Sequence, residues 1–161
     1  MFSVYLSLGS NINADVNLRA AIDALKEQYG QLELSTVYQN RAVGFEGDDF
    51  LNLVVGLRTE QSIPEIVEFL HRVEASRGRD RRTGKFSART LDMDLLLYGS
   101  EIYQSDSVFI PRDEITRYAF VLQPLQELIP EFQHPIENKT IQQLWDSFDK
   151  TNLDMRAVTI L

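Results

Sequence analysis

The chain of 161 residues contains no cysteine, two histidines (His71 and His134) and a single tryptophan. Without thiols it can form neither a disulfide, nor a thiolate nucleophile, nor a cysteine-based zinc site, and this fits a reducing compartment, so a cytoplasmic location is expected. Two histidines exclude a histidine-rich metal centre. No segment approaches the roughly 18 apolar residues of a membrane span. The start, Met1-Phe2-Ser3-Val4-Tyr5, lacks the basic region and long apolar stretch of a signal peptide, so no membrane partner is expected. Positive charge is scarce too: 16 Lys and Arg stand against 24 Asp and Glu, a formal charge of −8, which makes a poor general binder of nucleic acid.

What is present is ordinary globular material, 43% hydrophobic and 25% charged, at a length that suits one domain spanning residues 1–161. The scarce positive charge is concentrated. Arg72, Arg77, Arg79, Arg81, Arg82, Lys85 and Arg89 face only Glu74 and Asp80 within 18 residues, a local net charge of +5 that leaves −13 for the remainder. A helix C-terminus accounts for Arg72 and Arg77. The other five fit a pocket for phosphate better than a solvated surface.

Apolar periodicity predicts a strand over Phe2–Leu8, a helix over Ala14–Tyr29 and strands over Leu32–Gln39 and Phe50–Leu57. Ser62, Pro64 and Glu65 open a second helix with a capping box, and Gly78 stops it. A fourth strand covers Leu91–Tyr98. Helical spacing returns over Glu114–Leu128, where Pro124 should kink or divide the helix. A short helix is predicted over Thr140–Phe148, and Met155–Leu161 is β-prone. The fold class is therefore α+β: a ferredoxin-like βαββαβ core, an antiparallel sheet with helices on one face, plus a helical C-terminal extension.

The most informative segment is Arg89-Thr90-Leu91-Asp92-Met93-Asp94-Leu95-Leu96-Leu97-Tyr98-Gly99. On a strand, Leu91, Met93, Leu95 and Leu97 face one side and Asp92 and Asp94 the other, with Cα atoms about 6.5–7 Å apart. Charge that blocks pairing at a sheet edge would explain one Asp. Two, directly after an Arg-rich stretch, point to magnesium and phosphate, since Mg²⁺ takes one or two carboxylates plus substrate phosphates and Arg grips phosphate in bidentate fashion. No P-loop, kinase signature or Gly-x-Gly-x-x-Gly accompanies the pair.

These pieces, with Leu8-Gly9-Ser10-Asn11, Val37-Tyr38, Gly44, Asp49-Phe50-Leu51-Asn52, Glu74, Gly78-Arg79-Asp80-Arg81 and Phe120-Val121-Leu122-Gln123-Pro124-Leu125, resemble the 6-hydroxymethyl-7,8-dihydropterin pyrophosphokinase family of folate biosynthesis. The resemblance implies Mg²⁺-dependent transfer of diphosphate from ATP to a pterin alcohol, releasing AMP. It implies two Mg²⁺ ions held by Asp92 and Asp94, with Arg79 and Arg89 as catalytic residues. His71, Glu74, Arg81, Arg112 and Arg117 would bind ATP, and Val43, Phe50, Asn52 and Phe120 the pterin. The protein would act as a monomer on small molecules, with no nucleic-acid partner. Asn40-Arg41-Ala42, Phe86-Ser87-Ala88 and Arg112 depart from the family pattern, which leaves open a divergent paralogue acting on a related pterin or other alcohol. A non-catalytic nucleotide- or RNA-binding module is a third reading, although the aromatic signature of an RNA-recognition motif is missing from the strands.

Overall fold

Val4, Leu6 and Leu8 alternate with Tyr5, Ser7 and Gly9 along β1 (Phe2–Ser10), and this alternation assigns the strand two different faces. The computed structural model describes residues 1–41, 49–78 and 91–161. In it β1 pairs antiparallel on one side with β4 (Phe50–Thr59), from Phe2↔Thr59 to Ser10↔Leu51, and on the other with β5 (Asp92–Tyr98). Outside β4 lie β2 (Glu33–Leu34) and β3 (Val37–Asn40), and β8 (Met155–Val158) pairs with β3, giving the order β5-β1-β4-β3-β8. The last core strand thus returns beside the first, as a ferredoxin-like arrangement requires.

The first face is sealed by α1 (Ala14–Tyr29) and α2 (Ile63–Ser76). Leu18, Ala21, Ile22 and Leu25 of α1 and Ile66, Leu70 and Val73 of α2 pack on Val4, Leu6, Leu8, Leu53, Val55, Met93 and Leu95. The capping box of α2 forms as the sequence predicts: Ser62 Oγ accepts from the Glu65 N–H at 3.3 Å, and Glu65 accepts from the Ser62 N–H at 3.0 Å.

The second face is covered as well, which corrects the expectation of helices on one side only. Ile115, Val121, Leu122, Leu125, Ile141 and Leu144, from α3 (Glu114–Arg117), α4 (Ala119–Leu128) and α5 (Ile141–Asp146), bury Tyr5, Val54, Leu96 and Leu97. The C-terminal helices complete a second core. The break between α3 and α4 falls at Tyr118, whose backbone is extended (φ −126°, ψ 126°), and Pro124 stays inside α4. Proline there removes only the donor that would reach the Phe120 carbonyl, and the apolar face of α4 holds the helix together around it.

Two irregularities shift the predicted strands. One residue is inserted between Leu34↔Val55 and Tyr38↔Asn52, so a single expected strand becomes β2 and β3; at the break, Ser35 Oγ accepts from the Val54 N–H at 2.9 Å. On β5 the register passes from Leu6↔Leu95 to Tyr5↔Leu97, leaving Leu96 as the extra residue of a bulge. Leu97 therefore joins the second core, not the side of Leu91, Met93 and Leu95 where strict alternation puts it. The hairpin of β6 (Tyr103–Gln104) and β7 (Phe109–Ile110) has strands too short to leave a periodic signal.

Candidate active site

Ahead of the Leu96 bulge, β5 alternates strictly. Met93 is buried to 1% exposure on the first face, so Asp92 and Asp94 on either side of it emerge together on the second. Asp92 is paired with Gly9 and Asp94 with Ser7, and on the far side of β1 Gly9 is paired with Asn52. A polar row, Asp92–Gly9–Asn52, therefore crosses three strands of the second face, next to the apolar part that α4 and α5 cover.

The middle of that row has to be glycine. A Cβ on Gly9 would stand 2.5 Å from Asn52 Oδ1, a separation that real contacts do not show. Asn52 is 5% exposed, and its Nδ2 donates to Asn40 Oδ1 at 2.6 Å, so its amide is oriented from both sides. Phe50 lies on the same face of β4, two residues before Asn52. Phe120 is in the first turn of α4, the helix that covers this face, and stacks on Tyr118 with ring centres 5.0 Å apart. Tyr38, opposite Asn52 on β3, donates to Glu127 of α4, which also accepts from the Thr36 N–H at 2.8 Å. Burial and this carboxylate push the Tyr38 hydroxyl up to about 12, so it stays protonated.

Glu74 comes from α2. Its side chain is buried, and Oε2 accepts the Met93 N–H at 2.7 Å, which fastens the backbone between the two aspartates. Arg112, just beyond β7, donates its backbone N–H to the Leu96 carbonyl at 3.0 Å. Its Nη2 stands 3.8 Å from Asp94 Oδ1 and 2.9 Å from Glu114 Oε1. Burial alone would lower the Arg112 pKa; the Asp94, Glu114 and Asp92 carboxylates outweigh it and raise the pKa, so the guanidinium is a permanent positive charge.

His71 is on the wall of a cavity of about 490 Å³ between α2 and the β6–β7 hairpin. Val67, Ala75 and Val108 give that cavity apolar sides, while Arg72 and Ser107 give it polar ones. Arg117 is exposed, pairs with Asp113 at 3.1 Å and lies over the Tyr118 ring. Val43, Arg79, Arg81 and Arg89 are outside the described residues.

Of the residues singled out from sequence, the structure groups Asp92, Asp94 and Arg112 at one end of β5, and Phe50 and Asn52 two strands away. Asn40, Gly9 and Glu114 join these groups without having been singled out as contacts. Their signal is cross-strand register and a side-chain pair, which one sequence does not print. Among the described residues no three His, Asp or Glu side chains are grouped to hold a metal ion. Two carboxylates beside a guanidinium still suit Mg²⁺, which leaves most of its shell to water and substrate phosphates.

Comparison with known proteins points one way. Residues 5–130 match the family described as 7,8-dihydro-6-hydroxymethylpterin-pyrophosphokinase (HPPK). The chain is 34% identical over 145 residues to the 2-amino-4-hydroxy-6-hydroxymethyldihydropteridine pyrophosphokinase of Aquifex aeolicus, covering 89% of this chain and 90% of that one. It is 37% identical over 149 residues to the Synechocystis sp. protein of the same name, covering 91% and 76%. The crystal structure of Plasmodium falciparum HPPK-DHPS superposes with a TM-score of 0.71 at 15% identity. That match covers 91% of this chain but 43% of the longer one, and at such identity it speaks for the fold alone.

Proposed function

Because the chain belongs to the 7,8-dihydro-6-hydroxymethylpterin-pyrophosphokinase family, we propose that it transfers diphosphate from ATP to the hydroxymethyl oxygen of 6-hydroxymethyl-7,8-dihydropterin with Mg²⁺ and releases AMP. In this reaction the alcohol oxygen forms a bond to the β-phosphorus. The bridge to the α-phosphoryl group breaks, AMP leaves with the electron pair, and the alcohol proton passes to solvent.

The observation that carries the reading is the polar row across the sheet. Asp92 and Asn52 lie on opposite flanks of β1, two strand spacings or on the order of 10 Å apart. That span suits a bicyclic ring whose amide edge meets Asn52 and whose hydroxymethyl arm reaches toward the carboxylates. An oriented amide complements the donor–acceptor edge of a pterin, and Phe50 and Phe120 supply aromatic surface for its faces. The cavity beside His71, with its apolar side of Val67, Ala75 and Val108, suits the adenine end of the nucleotide.

Asp92 and Asp94 would hold Mg²⁺, which when bound supplies charge neutralisation along the triphosphate. Arg112 adds a fixed positive charge beside Asp94. Arg79 and Arg89 would add theirs at the β-phosphorus and the departing AMP, where phosphoryl-type transfer needs charge and alignment more than covalent chemistry. Glu74 holds the β5 backbone between the metal-binding carboxylates.

The test is the nucleotide product. With ATP, Mg²⁺ and the dihydropterin alcohol, AMP should form in step with pterin diphosphate; ADP as product would replace this reading with ordinary kinase chemistry. One observation favours a second reading, a related pterin as substrate. Asn40, in the stretch that departs from the family pattern, touches the Asn52 amide that would read the ring. A panel of pterin alcohols decides between them, since AMP release with a different pterin and none with the folate precursor would favour the second.

A further inference from the structure

Arg112 is held more firmly than a phosphate-binding side chain at a cleft needs to be, and the group that holds it is Glu114. Arg112 Nε donates to Glu114 Oε1 at 3.1 Å, and Nη2 forms an ion pair with the same oxygen at 2.9 Å. The Glu114 side chain is 11% exposed, and Arg112 itself is tied through its backbone N–H to the Leu96 carbonyl. Backbone and side chain are therefore both fixed. A guanidinium has five N–H donors. Glu114 engages the Nε donor, which leaves donors of the fork for a phosphate.

The distances give Glu114 a second consequence. Arg112 Nη2 is 2.9 Å from Glu114 but 3.8 Å from Asp94, so the guanidinium pairs more closely with the first carboxylate than with the second. Without the Glu114 anchor, Asp94 is the remaining ion-pair partner of Arg112 among the described residues. The guanidinium would close onto it and occupy oxygen lone pairs that a divalent cation needs. We propose that Glu114 is a positioning residue for the nucleotide: it aims Arg112 at the triphosphate and limits how closely the guanidinium approaches Asp94. This rests on the reading of Asp94 and Arg112 as ligands of the Mg²⁺–triphosphate.

The test is the affinity for the α,β-methylene analogue of ATP with Mg²⁺, measured by calorimetry for the unsubstituted protein and for Glu114→Gln, Glu114→Ala, Arg112→Ala, Asp94→Ala and the double variant Arg112→Ala/Glu114→Gln. Glu114→Gln keeps the size and one acceptor oxygen, and its melting temperature checks the fold should the alanine variant be unstable. Glu114→Gln should bind the analogue about five- to tenfold more weakly, as loss of one charge-assisted grip implies, with pterin affinity at saturating analogue unchanged. In the Arg112→Ala background the same substitution should cost nothing further, because Glu114 acts through Arg112. Two results would overturn the inference while sparing the proposed reaction: unchanged affinity in Glu114→Gln when Arg112→Ala weakens binding, or an equal loss from Glu114→Gln with and without Arg112. If Arg112→Ala and Asp94→Ala both bind the analogue as the unsubstituted protein does, the site assignment itself fails and the inference with it.

Discussion

The two faces of the sheet are built from the same strands and differ in where their apolar pattern ends. The first face is apolar along its length, with Val4, Leu6, Leu8, Leu53, Val55, Met93 and Leu95 all beneath α1 and α2. The second begins apolar at Tyr5, Val54, Leu96 and Leu97, then turns polar at Ser7, Gly9, Asn52, Asp92 and Asp94. Alternation within each strand makes this possible, because residues that serve the core and residues that serve the site occupy opposite sides of one backbone. Met93 and its two aspartates are the compact case: one buried side chain anchors the strand, and its neighbours face the other side. Substitution on one face should therefore change stability, and at the polar end of the other it should change activity.

The largest effect that would separate the faces is in turnover. Asp92→Ala should lose at least about a thousandfold in kcat/KM if Asp92 is the Mg²⁺ ligand proposed above, and should keep its melting temperature within a few degrees. A comparable loss of stability would merge site and core. On the other face, Leu6→Ala should destabilise by about 2–5 kcal/mol in urea unfolding, because Leu6 is fully buried, while kcat/KM of the folded fraction stays near that of the unsubstituted protein. Gly9→Ala tests the seam between them. The added methyl displaces the Asn52 amide from its bond with Asn40, so KM for the pterin should rise about tenfold with KM for ATP unchanged.

The smallest effect lies in the C-terminal part that closes the second face. His134 Nδ1 accepts the N–H groups of Ile136 and Glu137, both at 3.1 Å, and can do so only as a neutral ring. Burial pulls its pKa below the ordinary 6.5, partly offset by Glu137. The unfolded chain then binds the proton more readily than the folded one. The stability from neutral His134 is full above the unfolded value and declines as pH falls below about 6.5 toward the folded value. The melting temperature should drop across that window, and His134→Asn, which keeps an acceptor but cannot titrate, should flatten the drop.

Features with a strong local cause were legible in the sequence. The bounds of α1, the capping box of α2 and the shared face of Asp92 and Asp94 follow from periodicity, one N-cap and a two-residue spacing. What escaped depends on partners distant in sequence. The Leu96 bulge exists because β1 and β5 differ by one residue in register, and nothing in a run of three leucines marks which of them is extra. The break between α3 and α4 came at Tyr118 and not at Pro124, because packing outweighs a single missing donor. In the site, the aspartate pair was visible, whereas the Arg112–Glu114 grip and the Asn40–Asn52 bond were not: a side chain's partner is chosen by the fold. Arg79, Arg81, Arg89 and Val43 rest on the family likeness, since they fall outside the described residues.

The most direct measurement follows radiolabelled ATP through Asp94→Asn beside the unsubstituted protein, with the dihydropterin alcohol and Mg²⁺, after both have been shown to melt at the same temperature. The account predicts AMP equal to the pterin diphosphate formed by the unsubstituted protein, and none above background from the variant. AMP formation by Asp94→Asn at the unsubstituted rate would contradict it.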